Sequence, residues 1–320
     1  MVNRCRVSTM RLVVAAIDDG IPGIRTLHLV APDGRPLPSF TPGGHIVVEC
    51  GDAERRIANA YSLTCESVAP AEYTISVLEC TDGAGGSRWI HRLSVGDGVV
   101  VRPPRSAFAP VLRARRHLLI AAGIGVTPMV SHLRSARRWG REVRLLYVHR
   151  EGRGAYADEL HALTDRAQLF TDRHAFLAAL EPQLARQPFG THVYVCGPTD
   201  FMDAVTALAV ELGWPQSRIH LERFGIDALD PGESFEVAVA GTGEEFIVDS
   251  GVSLLDALEA RGHRVPNMCR RGVCGECRIR VVRGDVAHRD LYLTDTDKEA
   301  GDTLMCCVSR AAGDRLEVTW

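Results

Sequence analysis

Five of the ten cysteines in this 320-residue chain are clustered near its end. Cys269, Cys274 and Cys277 have the spacing C-x4-C-x2-C, and the adjacent Cys306 and Cys307 follow later. Clustered thiols in a reducing compartment indicate metal binding rather than disulfides. Three thiolates on one tight loop, with a fourth from a distant segment, form the plant-type ligand arrangement of a [2Fe–2S] cluster. The spacing therefore predicts such a cluster.

The pair Cys306 and Cys307 leaves the fourth ligand open. On an extended segment neighbouring side chains point in opposite directions, so only one of the two thiols can bind the cluster. The other is then a small buried hydrophobic residue. Gly272 and Gly275 lack Cβ atoms, which allows backbone N–H groups to approach the bridging sulfides. A four-cysteine zinc site is the alternative, although such sites more often use two CxxC pairs.

A glycine-rich turn in the middle of the chain has the composition of a nucleotide-binding turn. The segment AAGIGVTP at 121–128 follows an apolar run and precedes a helical pattern. Gly123 and Gly125 allow the backbone to approach a pyrophosphate at the positive end of that helix, which Thr127 and Pro128 begin.

A second turn, formed by Cys196, Gly197 and Pro198, follows another apolar run. If the two runs are parallel strands of one sheet, both turns lie at its carboxyl edge, where ligands bind in doubly wound folds. We therefore predict that both turns bind a nicotinamide nucleotide. Taken singly, either turn is also compatible with an ordinary loop, and Cys196 with a buried core thiol.

Two further segments have the residue types of a flavin site. A tyrosine on a strand can pack against an isoalloxazine ring while the next serine hydrogen-bonds to it, and a Gly-Gly-Ser turn before a helix offers N–H groups to a phosphate. Such segments are also common as strand packing and as plain turns. The flavin candidates are Tyr61, Ser62, Leu63, Gly85, Gly86 and Ser87.

The elements that would position these residues change in character along the chain. Over residues 1–110, short strands alternate with glycine- and proline-rich turns, which predicts an antiparallel flavin-binding β-barrel. Over 111–226, apolar runs alternate with amphipathic helices, which predicts a doubly wound α/β nucleotide domain. The polar segment 227–233 is a predicted linker. Residues 234–320 combine a hairpin with a helix capped by Ser253, which suits an α+β, β-grasp-like ferredoxin domain.

Composition limits the class of protein. The formal net charge of −3 gives no reason to expect a nucleic-acid or lipid partner. No stretch approaches the about 18 consecutive apolar residues of a membrane helix, and the first residues lack the apolar core and cleavage site of a signal peptide. We therefore expect a cytoplasmic protein with no membrane or nucleic-acid partner, and we expect a monomer.

Together these segments resemble the phthalate dioxygenase reductase family, which includes vanillate demethylase reductases and some reductases that serve cytochromes P450. The shared order is flavin barrel, nicotinamide domain and C-terminal plant-type ferredoxin domain. The resemblance extends over essentially the whole chain from residue 9. The matching segments are YSL at 61–63, GGS at 85–87, AAGIGVTP at 121–128, YVCGP at 194–198, HLERFG at 220–225 and CCVSR at 306–310.

The resemblance implies FMN rather than FAD, NADH as electron donor, and a separate oxygenase, usually of Rieske type, as acceptor. It implies that Cys307, in its Cys-Val-Ser-Arg context, is the fourth cluster ligand. It also implies that Phe224 lies near the flavin ring; the alternative is an ordinary core phenylalanine at a domain boundary. No residue is expected to act as a general acid or base.

One residue departs from the family pattern Arg-x-Tyr-Ser. This chain has NAYS at 59–62, and Asn59 lacks the charge-assisted, bidentate contact of an arginine with the flavin phosphate. Such a contact is worth about 1.5–3 kcal/mol. Flavin is therefore expected to bind more weakly than is usual in the family, unless Arg55, Arg56 or Arg88 compensates.

The implied reaction is stepwise electron transfer. A hydride carries two electrons and a [2Fe–2S] centre accepts one at a time, so a flavin is needed between them. The prediction is an oxidoreductase that takes hydride from NADH onto FMN and passes single electrons through the cluster to a partner oxygenase. A cytochrome P450 as acceptor, and a ferredoxin-like carrier with a decayed flavin site, are alternatives. NADPH stays open because His149, Arg150 and Arg153 follow the second predicted strand of the nucleotide domain.

Overall fold

The chain forms two compact units, Thr9–Leu229 and a C-terminal unit that begins at Asp230. Hydrophobic cores of buried residues occur in both units. In the part of the chain that the structure describes, no helix combines the length and the apolar composition needed to cross a membrane. The computed structural model describes residues 9–51, 56–81, 85–106, 108–224, 232–267, 275–290 and 292–320.

The first part of the larger unit is an antiparallel sheet. Its strands are β1 (Met10–Ile21), β2 (Ile24–Val30), β3 (Gly44–Gly51), β4 (Arg56–Ser62), β5 (Tyr73–Leu78), β6 (Gly98–Val101) and β7 (Arg105–Ser106). They are ordered β4-β3-β6-β1-β2-β5, with β7 paired to β3. A bridge between Leu63 and Ile75 joins the end of β4 to β5, so the sheet closes into the predicted barrel. The short helix α1 (Gly86–Ile90) places Ile90 in the barrel core.

The second part of the larger unit is a five-stranded parallel sheet. Its strands are β8 (Arg116–Ala122), β9 (Val143–Val148), β10 (Ala167–Phe170), β11 (Thr191–Cys196) and β12 (Ile219–Glu222). They are ordered β10-β9-β8-β11-β12, and every neighbouring pair is parallel. The helices are α2 (Thr127–Arg138), α3 (Ala157–Leu163), α4 (Arg173–Ala185) and α5 (Thr199–Glu211), with 3-10 turns at Gly123–Val126 and Gln216–Arg218.

Alternate residues of β8 enter two different cores. Leu119 and Ala121 share a core with α2 and α3, whereas Leu118 and Ile120 share one with α4 and α5. The strand is therefore covered on both faces, which explains its unbroken apolar sequence and confirms the doubly wound fold. The first core also contains Ile24 of β2, so barrel and parallel sheet pack as one unit. The domain boundary at residue 110 stays a prediction.

The C-terminal unit contains a mixed sheet with the order β14-β13-β19-β15-β17 and a two-stranded sheet, β16-β18. Its elements are β13 (Phe235–Val239), β14 (Glu244–Val248), α6 (Leu254–Glu259), β15 (Arg278–Arg283), β16 (Val286–Ala287), α7 (Asp295–Ala300), β17 (Thr303–Met305), β18 (Arg310–Ala311) and β19 (Arg315–Thr319). The predicted cap of α6 is confirmed, because the Ser253 hydroxyl accepts a hydrogen bond from the Asp256 N–H at 3.0 Å. Strand β13 pairs antiparallel with β14 and parallel with β19, as in a β-grasp arrangement.

Candidate cofactor sites

The two glycine turns of the parallel sheet lie side by side. Strands β8 and β11 are parallel neighbours with Ala121 paired to Cys196, so both turns emerge at the carboxyl edge. A Cβ on Gly125 would lie 2.4 Å from the carbonyl oxygen of Cys196 and 2.7 Å from the nitrogen of Gly197. Only a glycine allows this approach of two backbones. The pair of turns fits the close backbone packing that a pyrophosphate site requires.

The start of α2 is more elaborate than a simple strand-to-helix turn. Gly123–Val126 forms a 3-10 turn, and Gly123 has φ 55°, in the left-handed region. The Thr127 hydroxyl donates to the Ile124 carbonyl oxygen at 3.0 Å, and both Thr127 and Pro128 are buried. These two side chains therefore hold the shape of the turn and do not face outward.

Cys196 presents its backbone rather than its thiol. Its side chain is fully buried in the core that contains β8, β11 and α2. Burial raises the pKa of this thiol well above its usual value, so the sulfur stays protonated. The thiol is thus a core residue. The turn then continues through Gly197, whose Cβ would lie 2.9 Å from the Ala122 Cβ, to Pro198, which precedes α5 as its N-cap residue.

At one corner of the barrel, Asn59 meets the Gly85–Gly86 turn. A Cβ on Gly86 would lie 2.3 Å from Asn59 Nδ2, so any larger residue there would displace the Asn59 side chain. Asn59 Nδ2 donates to the Tyr61 hydroxyl at 3.3 Å. The buried Asn59 Oδ1 has no hydrogen-bond partner among the described residues. Leaving such an acceptor unpaired costs about 1–3 kcal/mol, and the ribityl chain of FMN carries hydroxyls that could satisfy it.

Of the three arginines that could compensate for Asn59, one is described. Arg88 is exposed, and its Nη2 lies 3.7 Å from the position that a Cβ on Gly85 would occupy. Arg55 and the side chain of Arg56 lie outside the described residues. Arg88 is therefore a described cation beside the candidate phosphate turn.

Two other flavin candidates have structural roles. Leu63 is fully buried in the barrel core, so its side chain supports the strand and faces no ligand. The Ser87 hydroxyl accepts a hydrogen bond from the Cys80 N–H at 3.1 Å, which fixes the entry to α1. No side chain among the described residues caps the first turn of that helix.

Ser62, the last residue of β4, connects the barrel to the parallel sheet. Its hydroxyl lies 3.5 Å from Glu222 Oε2 and donates to it. Glu222 is paired with Cys196 across β11 and β12, at the carboxyl edge that carries the glycine turns. The flavin and nicotinamide candidates therefore meet at one place. Glu222 was not predicted as a site residue; the available signal was its position at the end of a strand, within the HLERFG segment.

Phe224 lies two residues beyond β12, close in sequence to Glu222. Its side chain is 42% exposed. The interpretation as an ordinary core phenylalanine is therefore wrong. An aromatic ring exposed near this edge is available to stack on a planar ligand.

Cys277 and Cys307 are brought together in the C-terminal unit. Their Sγ atoms lie 3.0 Å apart, and both side chains are buried. Side-chain hydrogen bonding with Cys306 and Cys307 lowers the pKa of Cys277, which favours the thiolate form that a metal ligand needs. Cys269 and Cys274 lie outside the described residues, as does Gly272.

The segment that carries Cys306 and Cys307 is a turn. Strand β17 ends at Met305, and the Ser309 N–H donates to the Met305 carbonyl oxygen at 2.9 Å. The expectation of an extended segment is therefore wrong, and both thiols reach Cys277. In a tight turn, neighbouring side chains do not point in opposite directions as they do in a strand. The course of the backbone therefore does not decide whether Cys306 or Cys307 is the fourth ligand.

The Ser-Arg pair that follows the cysteines holds this turn in place. Arg310 is buried, and it donates to the carbonyl oxygens of Val252 at 2.6 Å and Glu233 at 2.9 Å. The Ser309 hydroxyl donates to Asp290 Oδ1 at 3.2 Å. The matching segment at 306–310 thus combines candidate ligands with the residues that fix their position.

Two family models match parts of the chain. Residues 98–219 match the family model of the N-terminal domain of dimethylamine monooxygenase subunit DmmA-like proteins. Residues 237–312 match the model of the 2Fe-2S iron-sulfur cluster binding domain. The second match favours an iron–sulfur cluster over the four-cysteine zinc alternative.

Relatives that match over nearly their whole length are components of oxygenase systems. The chain is 35% identical to the carnitine monooxygenase reductase subunit of Escherichia coli, covering 92% of each protein. It is 34% identical to phthalate dioxygenase reductase of Burkholderia cepacia, covering 96% of each. It is 38% identical to the heme-dependent oxidative N-demethylase beta subunit of Ectopseudomonas mendocina, covering 95% of this chain and 96% of the relative.

Solved structures extend the likeness to the fold. The structure of phthalate dioxygenase reductase matches with a TM-score of 0.65 at 32% identity, covering 98% of each chain. Full-length CYP116B46 from Tepidiphilus thermophilus matches with a TM-score of 0.69 at 33% identity. That match covers 97% of this chain but 42% of the other, so the chain spans less than half of that protein.

The carnitine monooxygenase and phthalate dioxygenase relatives are reductases, and they give no support to a ferredoxin-like carrier with a decayed flavin site. The cofactors are FMN, NADH and a [2Fe–2S] cluster. When bound, they convert a two-electron hydride into single electrons, and the protein supplies binding and orientation. The chain therefore belongs to the phthalate dioxygenase reductase family, as an NADH-dependent flavin and iron–sulfur reductase that serves a separate oxygenase.

Proposed function

We propose that the oxygenase served by this reductase is of Rieske type, that the reductase acts in the cytoplasm, and that it is a monomer. The dioxygenase and monooxygenase reductases among its full-length relatives support this class of partner. Cytoplasmic location agrees with cluster ligands that must stay as free thiolates. The oxygenase itself selects the substrate, so the substrate class follows from the partner.

We also propose the division of labour among the residues of the larger unit. The observation that carries it is the contact between Ser62 and Glu222, because it joins the flavin strand to the edge where the nicotinamide turns lie. The residues assigned to FMN are Asn59, Tyr61, Ser62, Leu63, Gly85, Gly86, Ser87 and Phe224, with Leu63 and Ser87 acting through the backbone and the helix start. The residues assigned to NADH are Gly123, Gly125, Thr127, Pro128, Cys196, Gly197 and Pro198, mostly through their backbone.

For the cluster, the proposed ligands are Cys269, Cys274, Cys277 and Cys307. The test compares Cys307→Ser with Cys306→Ser, since both substitutions remove one thiol from the same turn. We expect the Cys307 variant to lose the visible absorption of the cluster together with its iron and sulfide, and the Cys306 variant to keep all three. Loss of the cluster in the Cys306 variant alone would reverse the assignment.

A haem-type acceptor is the second candidate. The relative at 38% identity is a heme-dependent oxidative N-demethylase subunit, and an intact self-sufficient cytochrome P450 monooxygenase is among the structural matches. To separate the candidates, the holoenzyme is mixed with NADH and a purified Rieske oxygenase or P450, each with its own substrate. Product formed per NADH consumed identifies the partner class, and a ratio near one with the haem enzyme alone would overturn the Rieske proposal.

A further inference from the structure

Tyr156 is a side chain of the α/β part of the larger unit that reaches into the barrel. It lies directly before α3, in the segment that follows β9. Its hydroxyl lies 2.6 Å from Ser76 Oγ and 2.9 Å from Thr64 Oγ1. Ser76 belongs to β5, and Thr64 follows the end of β4. One phenol therefore connects two strand segments of the barrel to the nucleotide part.

The direction of every hydrogen bond in this contact is fixed by its end point. Thr64 Oγ1 donates to the Thr74 carbonyl oxygen at 3.1 Å, so it accepts from Tyr156. The Tyr156 hydroxyl must then accept from Ser76, and Ser76 Oγ must accept from Thr26 Oγ1, which lies 2.7 Å away. Ser76, Tyr156 and Thr64 each donate once and accept once, and Thr26 donates to the first of them. Chains of this kind polarise their members and are strengthened in a buried setting.

This series of hydrogen-bonded hydroxyls is buried, and the tyrosine within it stays protonated. Thr64 is 0% exposed and Ser76 is 6% exposed. Burial raises the pKa of Tyr156, so the phenol keeps its proton at neutral pH. Breaking the chain would leave buried hydroxyls without partners, which is more costly than losing one exposed contact.

The backbone of Tyr156 is strained. Its φ of 61° lies in the left-handed region, where a bulky residue is an outlier that surrounding contacts must maintain. Its neighbour Ala155 is buried in the same core as Val126 of the nicotinamide turn. The strained residue thus joins a segment packed near that turn to the barrel.

Both ends of the contact lie close to the proposed reacting region. Thr64 is two residues after Ser62, whose hydroxyl meets Glu222. Strand β9 ends at Val148, paired with Ala122, so the segment leading to Tyr156 begins beside the Gly123 turn. We propose that Tyr156 is a positioning residue, whose hydroxyl sets the nicotinamide turns at the correct distance from the flavin strand. The proposal rests on the assignment of NADH to those turns and FMN to that strand.

The test removes one hydroxyl at a time from the full-length holoenzyme. Tyr156→Phe keeps the aromatic ring and removes the hydroxyl, so its hydrogen bonds with Ser76 and Thr64 are lost. Tyr73→Phe is the matched control, because the Tyr73 hydroxyl donates to the Pro38 carbonyl oxygen at 2.6 Å within the barrel alone. Ser76→Ala removes the donor to Tyr156 from the barrel side and leaves the tyrosine in place. Flavin and iron contents are measured for every variant.

We expect anaerobic flavin reduction at saturating NADH to slow about tenfold or more in Tyr156→Phe, since small misplacements of reacting atoms have effects of this size. Ser76→Ala should slow it less, and the double variant should be no slower than Tyr156→Phe, because the two side chains act as one unit. Tyr73→Phe should stay within about twofold of the wild type. Hydrogen exchange of the amides at 149–163 should accelerate in Tyr156→Phe and not in the control.

Flavin reduction at the wild-type rate in Tyr156→Phe would overturn the positioning role, and so would equal slowing in Tyr156→Phe and Tyr73→Phe. If Tyr156→Phe does not fold, the rate of flavin reduction in Ser76→Ala is compared with the wild type and with Tyr73→Phe instead. A wild-type rate, or slowing equal to that of Tyr73→Phe, would overturn the positioning role. A wild-type protein that binds FMN but is not reduced by NADH would overturn the reductase function itself, and this proposal with it.

Discussion

The two turns proposed to bind NADH and the barrel corner proposed to bind FMN lie in one compact unit, yet they are built from different parts of the chain. At the turns, backbone meets backbone: a Cβ on Gly125 would lie 2.4 Å from the Cys196 carbonyl oxygen. At the corner, a side chain meets backbone: Asn59 lies against Gly86, and its buried Oδ1 has no partner within the described part of the chain. A backbone site accepts almost no substitution, because the sheet fixes both strands. A side-chain site can be retuned, which is consistent with Asn59 standing where the family pattern has arginine.

The largest effect is expected at the backbone site. Gly125→Ala forces a Cβ into the Cys196–Gly197 peptide, so one turn must shift, and NADH-dependent flavin reduction should fall at least about 100-fold. Gly123→Ala is the control, because nothing lies within 4 Å of its Cβ and only the positive φ opposes it. Stopped-flow reduction and flavin content measure both variants. Similar losses in the two would mean that glycine conformation, and not the contact between turns, governs the site.

A smaller effect, of opposite sign, is expected at the side-chain site. Asn59→Arg supplies a cation for the flavin phosphate and should tighten FMN binding about 10- to 100-fold, corresponding to roughly 1.5–3 kcal/mol. Asn59→Gln keeps the amide and adds no charge, so it should change affinity little. Titration of deflavinated protein with FMN gives the dissociation constants. An unchanged constant in Asn59→Arg would indicate that Arg88 or another cation already fills this role.

The contact that joins the two regions should matter less. Glu222→Gln replaces the charged acceptor of a long, 3.5 Å hydrogen bond from Ser62, so hydride transfer should slow about 3- to 10-fold. Ser62→Ala should give a similar value, and the double variant should add little. The rate of flavin reduction and the KM for NADH separate positioning from binding. Additive losses would show that the two side chains act independently.

The smallest effect, a change of stability with pH, is expected at the amino end of the parallel strands. Burial lowers the pKa of His117, whose Nε2 lies 3.0 Å from the Val111 carbonyl oxygen. The unfolded chain therefore binds more protons than the folded one below the ordinary histidine pKa of about 6.5, and stability falls as the pH drops below that value. Between pH 7 and pH 5 the free energy of unfolding should therefore fall. His117→Gln should flatten this dependence in urea unfolding of the full chain, leaving the part due to His192, whose pKa is lowered in the same direction.

Elements with a clear apolar periodicity followed from the sequence, whereas elements without one did not. The apolar run at 117–122 predicts a buried strand, and β8 spans Arg116–Ala122. Strand β10 (Ala167–Phe170) and helix α4 (Arg173–Ala185) were not predicted. The strand lacks clear alternation, and Pro182 interrupts the helical pattern. A usable signal was present at Asp172, whose carboxylate accepts from the Ala175 N–H at 2.7 Å as an N-cap.

By itself, the sequence determined the chemistry that depends on local spacing: three cysteines on one loop, glycines at strand-to-helix turns, and the order of the three regions along the chain. Tertiary structure decided which distant residues meet. Ser62 and Glu222 are 160 positions apart, and Tyr156 and Thr64 are 92 apart. The turn at Cys306 and Cys307 likewise depends on Arg310, which is anchored on Val252. Local propensity does not encode such contacts, because they follow from the packing of whole sheets and helices against one another.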